Sequence, residues 1–203
     1  MALGTFTPTQ DNGIRDDSPT TNFSTDDNYD VGEYNAGVLI RRVLAQFDIS
    51  SIPGGQIINA GTLRVSHQAS DFSDNDRQMQ VYRVRRVWGD TTSTWNIYST
   101  GNNWQTAGAT GADDIDTTGI GSVTIVQTQG AGWINVTLTT SAVSDWYTGA
   151  FANNGVLLRM DTELNDMHRW DSRENLGTLK PELVVDYSAA AAGAPLDLTS
   201  KYW

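Results

Sequence analysis

The stretch from Arg41 to Ser66, RRVLAQFDISSIPGGQIINAGTLRVS, restricts the fold more than any other part of this chain. Val43, Ala45 and Phe47 alternate with Arg42, Gln46 and Asp48, the two-residue period of a strand that buries one face. Pro53 then fixes φ and removes a donor, which ends the ladder, and Gly54 and Gly55 complete a turn. Beyond it Leu63 and Val65 alternate with Thr62, Arg64 and Ser66, so the chain re-enters a sheet. Strand, Pro-Gly corner and strand predict an antiparallel framework.

The same pattern recurs downstream. Met79 and Val81, followed by Val84 and Val87, compete for one inner face. Two strands are predicted over 122–126 and 133–138 around the Gly-rich turn 129–132, and another over 155–160 with Val156, Leu158 and Met160 on one side. The closing strands are 168–172 and 182–187, where Leu183, Val185 and Tyr187 share a face behind Pro181. One helical pattern interrupts them: Val143, Trp146 and Tyr147 fall at i, i+3 and i+4, with Ser or Thr to cap the start and Gly149 for a left-handed exit. The prediction is an all-β fold, an antiparallel β-sandwich of jelly-roll type with one short helix and long loops. Residues 1–36 read as an irregular arm pinned by Phe23 and Tyr29, residues 37–187 as the sandwich, and residues 188–203 as a linker and docking tail. The longest polar stretch, 89–121, reads as a loop with a function or a contact surface.

At 203 residues the chain is long enough for one such domain with a proper core. A net charge of −11 argues against nucleic acid as a partner, because phosphate binding needs a basic face. Cysteine is absent, which removes disulfides and thiolate chemistry. No apolar run is long enough to span a bilayer, and no Sec signal is expected from the residues after Met1.

Candidate chemistry is sparse. His67 and His168 lack a metal-ligand spacing, and no nucleophile elbow or P-loop is present, so both histidines read as structural. Asp26, Asn28 and Asp30 place hard oxygen ligands at alternate positions, the pattern of an irregular Ca²⁺ site, although Val31 and Gly37 break the EF-hand pattern. Solvated turns are the preferred reading, so no cofactor is expected. Of seven Trp residues, Trp88, Trp133, Trp146 and Trp170 sit in core-like patterns. Trp95, Tyr98 and Trp104, in the long polar stretch, are the candidate platforms for a sugar ring. Leu196, Leu198, Tyr202 and Trp203 give the tail an apolar and aromatic face suited to docking on another subunit.

Several of these segments together resemble the DNRLRE-type domains. The opening match is Arg42, Leu44, Phe47, Asp48, Ile49, Ser50, Ile52, Pro53 and Gly55, followed by Ile58, Ala60 and Leu63. It continues through Trp88, the run Thr94-Trp95-Asn96, and Trp104. Val136, Thr137, Val143, Trp146 and Gly149 come next, then Asn153-Asn154-Gly155 with Leu157 and Leu158. Asp171-Ser172-Arg173-Glu174 and Pro181-x-Leu-Val-Val-x-Tyr close it. The resemblance implies a non-catalytic β-sandwich, similar to some carbohydrate-binding modules and found on cell-surface, secreted and viral proteins. The segment TWNIYSTGNNWQTAGA is similar to the form carried by bacteriophage structural proteins. The expectation is therefore a non-enzymatic structural or decoration protein of a phage-like virion, made in the host cytoplasm and anchored to other subunits. The alternative is a carbohydrate-binding module recognising a surface polysaccharide, extracellular or on a cell surface.

Overall fold

A computed structural model describes residues 1–34, 39–68, 72–177 and 179–190. Its strands are β1 (Ala2–Phe6), β2 (Pro8–Arg15), β3 (Asn28–Tyr34), β4 (Leu39–Phe47), β5 (Gln56–His67), β6 (Phe72–Ser73) and β7 (Arg77–Arg83). After them come β8 (Ile97–Ser99), β9 (Asn102–Asn103), β10 (Gly121–Ile125), β11 (Gly132–Leu138), β12 (Val156–Met160), β13 (Asp166–Asp171) and β14 (Glu182–Ala189). One helix, α1 (Thr140–Thr148), lies between β11 and β12.

All strands but the small β8–β9 hairpin belong to one antiparallel ladder. Following it from β5 through β11, β10, β7, β12, β4, β3 and β13 returns to β5 at the pair Trp170–His67. The sheet is therefore all-β, as expected, but it closes in a barrel-like ring rather than forming two separately bonded layers. Closure depends on two strands whose edges are shared. Arg41 pairs with Gly32 and Arg15, and Val43 pairs with Leu158 and Gly13, so β3 and β12 divide one edge of β4 while β2 holds the other. In the same way β13 and β14 divide one edge of β5 opposite β11.

The ring encloses the predicted inner faces. Val43, Ala45, Phe47, Leu63, Val65, Met79, Val81, Leu158, Leu183 and Val185 form one cluster with Tyr29 and Trp170. Helix α1 closes part of it with Val143 and Trp146, and Gly61 makes this seat possible, since a Cβ there would lie 2.5 Å from Val143 Cγ2. Gly149 provides the left-handed exit at φ 78°, but Thr139 at the N-cap makes no side-chain capping bond.

Three expectations need correction. Residues 2–34 are not an irregular arm: β1 pairs with β14, β2 with β4 and β3 with β13. Their polar residues hid them, because Asp11, Asn12, Asp30 and Glu33 are buried at positions where a strand pattern calls for apolar side chains. Trp133 is half-buried on the outside, with Arg64 stacked 4.2 Å from its ring. Val87 is exposed, while Val84 faces a different cluster from Met79 and Val81.

That second cluster lies on the outer face of the sheet. Leu44 and Leu157 alternate with inward Val43 and Leu158, and together with Ile14 and Val84 they pack under Trp88, Trp104, Ala109 and Ile115. The long polar stretch thus folds back as a lobe, and the strands beneath it are buried on both faces.

Candidate binding cleft

The expected sugar platforms belong to this lobe. Trp104 is 4% exposed, its indole N–H donates to Thr94 O at 2.9 Å, and its ring packs against Tyr98 at 5.5 Å between centroids. Trp95 is half-buried under the Arg42 guanidinium, 4.7 Å from its ring centroid. Arg42 in turn forms two 2.7 Å bonds to the Glu163 carboxylate and donates to Gly108 O at 2.6 Å. Asp114, fully buried, accepts from the backbone N–H groups of Gln105, Thr106 and Gly111, which fixes a loop that has few apolar residues of its own. The structure does bring Trp95, Tyr98 and Trp104 together, but as packing, and a ring as buried as Trp104 has no face to offer a pyranose.

Nor do Asp26, Asn28 and Asp30 converge. Asp26 pairs with Arg15 at 3.0 Å, while Asp30 is buried between Arg41 at 2.5 Å and Arg169 at 3.0 Å. Guanidinium groups satisfy the two carboxylates. Among the described residues no group of three or more His, Asp or Glu is arranged to hold a metal ion. The expected docking residues Leu196, Leu198, Tyr202 and Trp203 lie outside the described residues.

The histidines meet inside the ring. His67 Nδ1 lies 3.0 Å from Gly130 O and so carries the proton; its Nε2 then accepts from His168 Nδ1 at 3.2 Å. This leaves His168 Nε2 as a buried lone pair with no partner among the described residues. Burial pushes both imidazoles below the ordinary histidine range, His168 to about 4 with a further push from the neighbouring His67. The Asp171–Glu174 motif is a clamp: Ser172 Oγ donates to Asp26 O, and the Arg173 guanidinium binds Asp11 and Asp90.

A more accessible concavity lies at one end of the ring, between the β4–β5 turn and α1. It is a cleft of about 600 Å³ lined by Asp48, Ile49, Ser50, Ile52, Gly54, Trp146, Tyr147 and Asn153. Its volume falls in the range of small-ligand sites. The turn is rigid: Ser50 N–H donates to Asp48 Oδ1 at 2.8 Å, and Ile52 N–H to Ile49 O at 3.1 Å. Tyr147 bridges it to the helix, donating to Pro53 O at 2.7 Å and accepting from Gln56 N–H at 2.8 Å. Asn153 closes the far side, its side-chain amide donating to Phe47 O and its backbone carbonyl accepting from Gln46. Trp146 supplies a buried apolar wall, and its indole N–H has no partner among the described residues. Hydrogen bonds from the Ser50 backbone and side chain hold the Asp48 carboxyl below the usual carboxylate range.

None of these lining residues stood out as a site in the sequence, where Trp146 and Tyr147 read as a helix face and Asp48 as the polar side of a strand. A recoverable signal was the Asp48-x-Ser50 spacing at a strand end, which favours an Asx turn.

Residues 2–97 match the model of carbohydrate-binding module family 96. The match covers just under half of the chain, from β1 through β7, and includes the whole Asp48–Gly54 side of the cleft. This part of the chain is thus similar to a carbohydrate-binding module. The likeness favours the glycan-binding alternative over the particle-protein reading. No curated protein matches the chain.

Proposed function

We propose that this protein is a glycan-binding module and that its ligand site is the cleft between the β4–β5 turn and α1. The similarity of residues 2–97 to carbohydrate-binding module family 96 carries the reading. The chemistry of the cleft suits it: the half-buried Tyr147 ring offers a face to the C–H side of a sugar over a floor of buried Ile49, Ile52 and Trp146, and the exposed Asp48 and Ser50 offer polar groups at the rim. The lobe is the weaker candidate, since its aromatic rings are engaged with Arg42, Arg86 and one another.

Calorimetric titration of the full chain against a panel of oligosaccharides tests this, with Tyr147→Ala and Trp95→Ala compared in parallel. Loss of binding in Tyr147→Ala alone supports the cleft. Loss in Trp95→Ala alone moves the site to the lobe.

A further inference from the structure

The described part of the chain ends at the wall of the cleft, with Ala190 held to the β4–β5 turn. We infer that residues 191–203 fold back into the cleft of their own chain, so that a glycan bound there, on the reading proposed above, must displace them.

The exit point decides the occupant. β14 pairs Ala189 with Gln56, and the Ala190 N–H donates to Gly55 O at 3.3 Å. Gly54, the next residue back in the turn, lines the cleft, and the Gln56 N–H donates to the Tyr147 hydroxyl on the opposite wall. The chain therefore leaves the sheet from the cleft's own wall. The space beside this wall is open, since a Cβ on Gly54 or on Gly55 would meet nothing within 4 Å. Residues 191–195, AAGAP, are small and give about 17 Å of reach when extended. A segment tethered so closely meets the cleft at an effective concentration on the order of millimolar.

The chemistry of segment and cleft matches. Leu196, Leu198 and Tyr202 are separated by even numbers of residues, so an extended chain places them on one side. The cleft offers that side the half-buried Tyr147 ring over buried Ile49, Ile52 and Trp146. Its rim carries the exposed Asp48 carboxylate, and none of its lining residues is Lys, Arg or His. The segment brings a cation, Lys201; the other lysine of the chain, Lys180, donates to Arg173 O. Asp197 and Lys201 cancel, so a chain of net charge −11 does not repel this segment as it would an acidic partner.

The test begins without a glycan. The chain has no cysteine, so Ser200→Cys takes a single nitroxide label on the full chain. Paramagnetic broadening is then read on the backbone amide signals of Ser50, Gly54 and Tyr147. The expected result is broadening of all three, unchanged on dilution and relieved when Leu196→Asp and Leu198→Asp are combined. Sharp signals at all three would overturn the inference. Broadening of an isotope-labelled chain by a separate nitroxide-labelled one would overturn it as well, by making a second copy the occupant. Broadening that survives the paired aspartates would overturn the apolar contact as its basis. Calorimetry with the oligosaccharide panel separates this inference from the glycan reading. The paired substitution should tighten glycan binding about tenfold, the gain from freeing a site that is filled about nine-tenths of the time. Broadening in a chain whose glycan affinity is the same with and without the substitutions, or absent in both, would support the docking and overturn the cleft as the glycan site.

Discussion

Two regions of this molecule are rich in aromatic residues, and they use them in opposite ways. In the lobe over β4 and β12, the indole N–H of Trp88 donates to Asn154 O and that of Trp104 to Thr94 O, so each ring is anchored by its polar end as well as its faces. In the cleft, Trp146 is buried without a partner for its N–H among the described residues, while Tyr147 is half-buried and ties the turn to the helix by its hydroxyl. The lobe is a satisfied miniature core, whereas the cleft is a rigid concave wall with an exposed carboxylate at its rim. An aromatic cluster in a polar loop is therefore no guide to a binding surface: the loop needs its aromatic residues to cover the outer face of the sheet.

The contrast can be broken most directly at Trp104. Trp104→Ala is expected to cost about 3–5 kcal/mol in urea unfolding, as for a large buried aromatic side chain, and to leave glycan affinity of the folded protein unchanged. A loss of affinity without loss of stability would make the lobe the platform.

Arg42→Met tests the charged tie beneath Trp95. It leaves Glu163 without its bidentate partner and Gly108 O without a donor, and is expected to cost about 3 kcal/mol. Limited proteolysis should then cut first within the lobe rather than near the cleft.

Acid separates stability from binding. The folded state keeps His168 neutral to about pH 4, whereas the unfolded chain takes up a proton near 6.5. Its contribution is thus full above pH 6.5 and is lost on descent to pH 4, by up to about 3 kcal/mol. Asp11 and Asp166, pushed up by burial to about 6 and about 7, act in the opposite sense: their folded forms favour the proton, so they contribute below pH 3.8 and lose that contribution as pH rises through those values. His168→Gln should therefore steepen the decline of stability from pH 4 to 7, and Asp166→Asn should flatten it. Asp48 stays ionised across this range, so affinity per folded molecule should remain constant between pH 7 and pH 5.

The smallest effects compare single polar atoms. Tyr147→Phe removes two hydrogen bonds between the turn and the helix, an expected loss of about 1–2 kcal/mol. Trp146→Phe removes an N–H that has no partner among the described residues and so should cost less than Trp104→Phe, which gives up the bond to Thr94 O. Equal costs in thermal denaturation would mean that the two indoles are held alike.

The strands around Val43, Leu63, Val81, Leu158 and Leu183 were legible in the sequence because apolar residues that face the ring interior recur at every second position. The N-terminal strands were not, since Asp11, Asn12, Asp30 and Glu33 are buried through hydrogen bonds and ion pairs formed with distant partners. The cleft was illegible for a similar reason. Asp48 and Tyr147 stand about 100 residues apart in the chain, and only the packing of α1 against β5 brings them to one wall.

The sequence by itself determined an all-β framework, the position of helix α1 with the glycine that ends it, and a strongly acidic net charge. These depend on local periodicity, backbone chemistry and net charge, which neighbouring residues carry among themselves. The tertiary structure decided that the ladder closes, that Trp104 is core and that the β4–β5 turn faces α1 across a cleft. Those outcomes depend on which edges β4 and β5 share and on what covers each face, and both are set by partners far away in the chain.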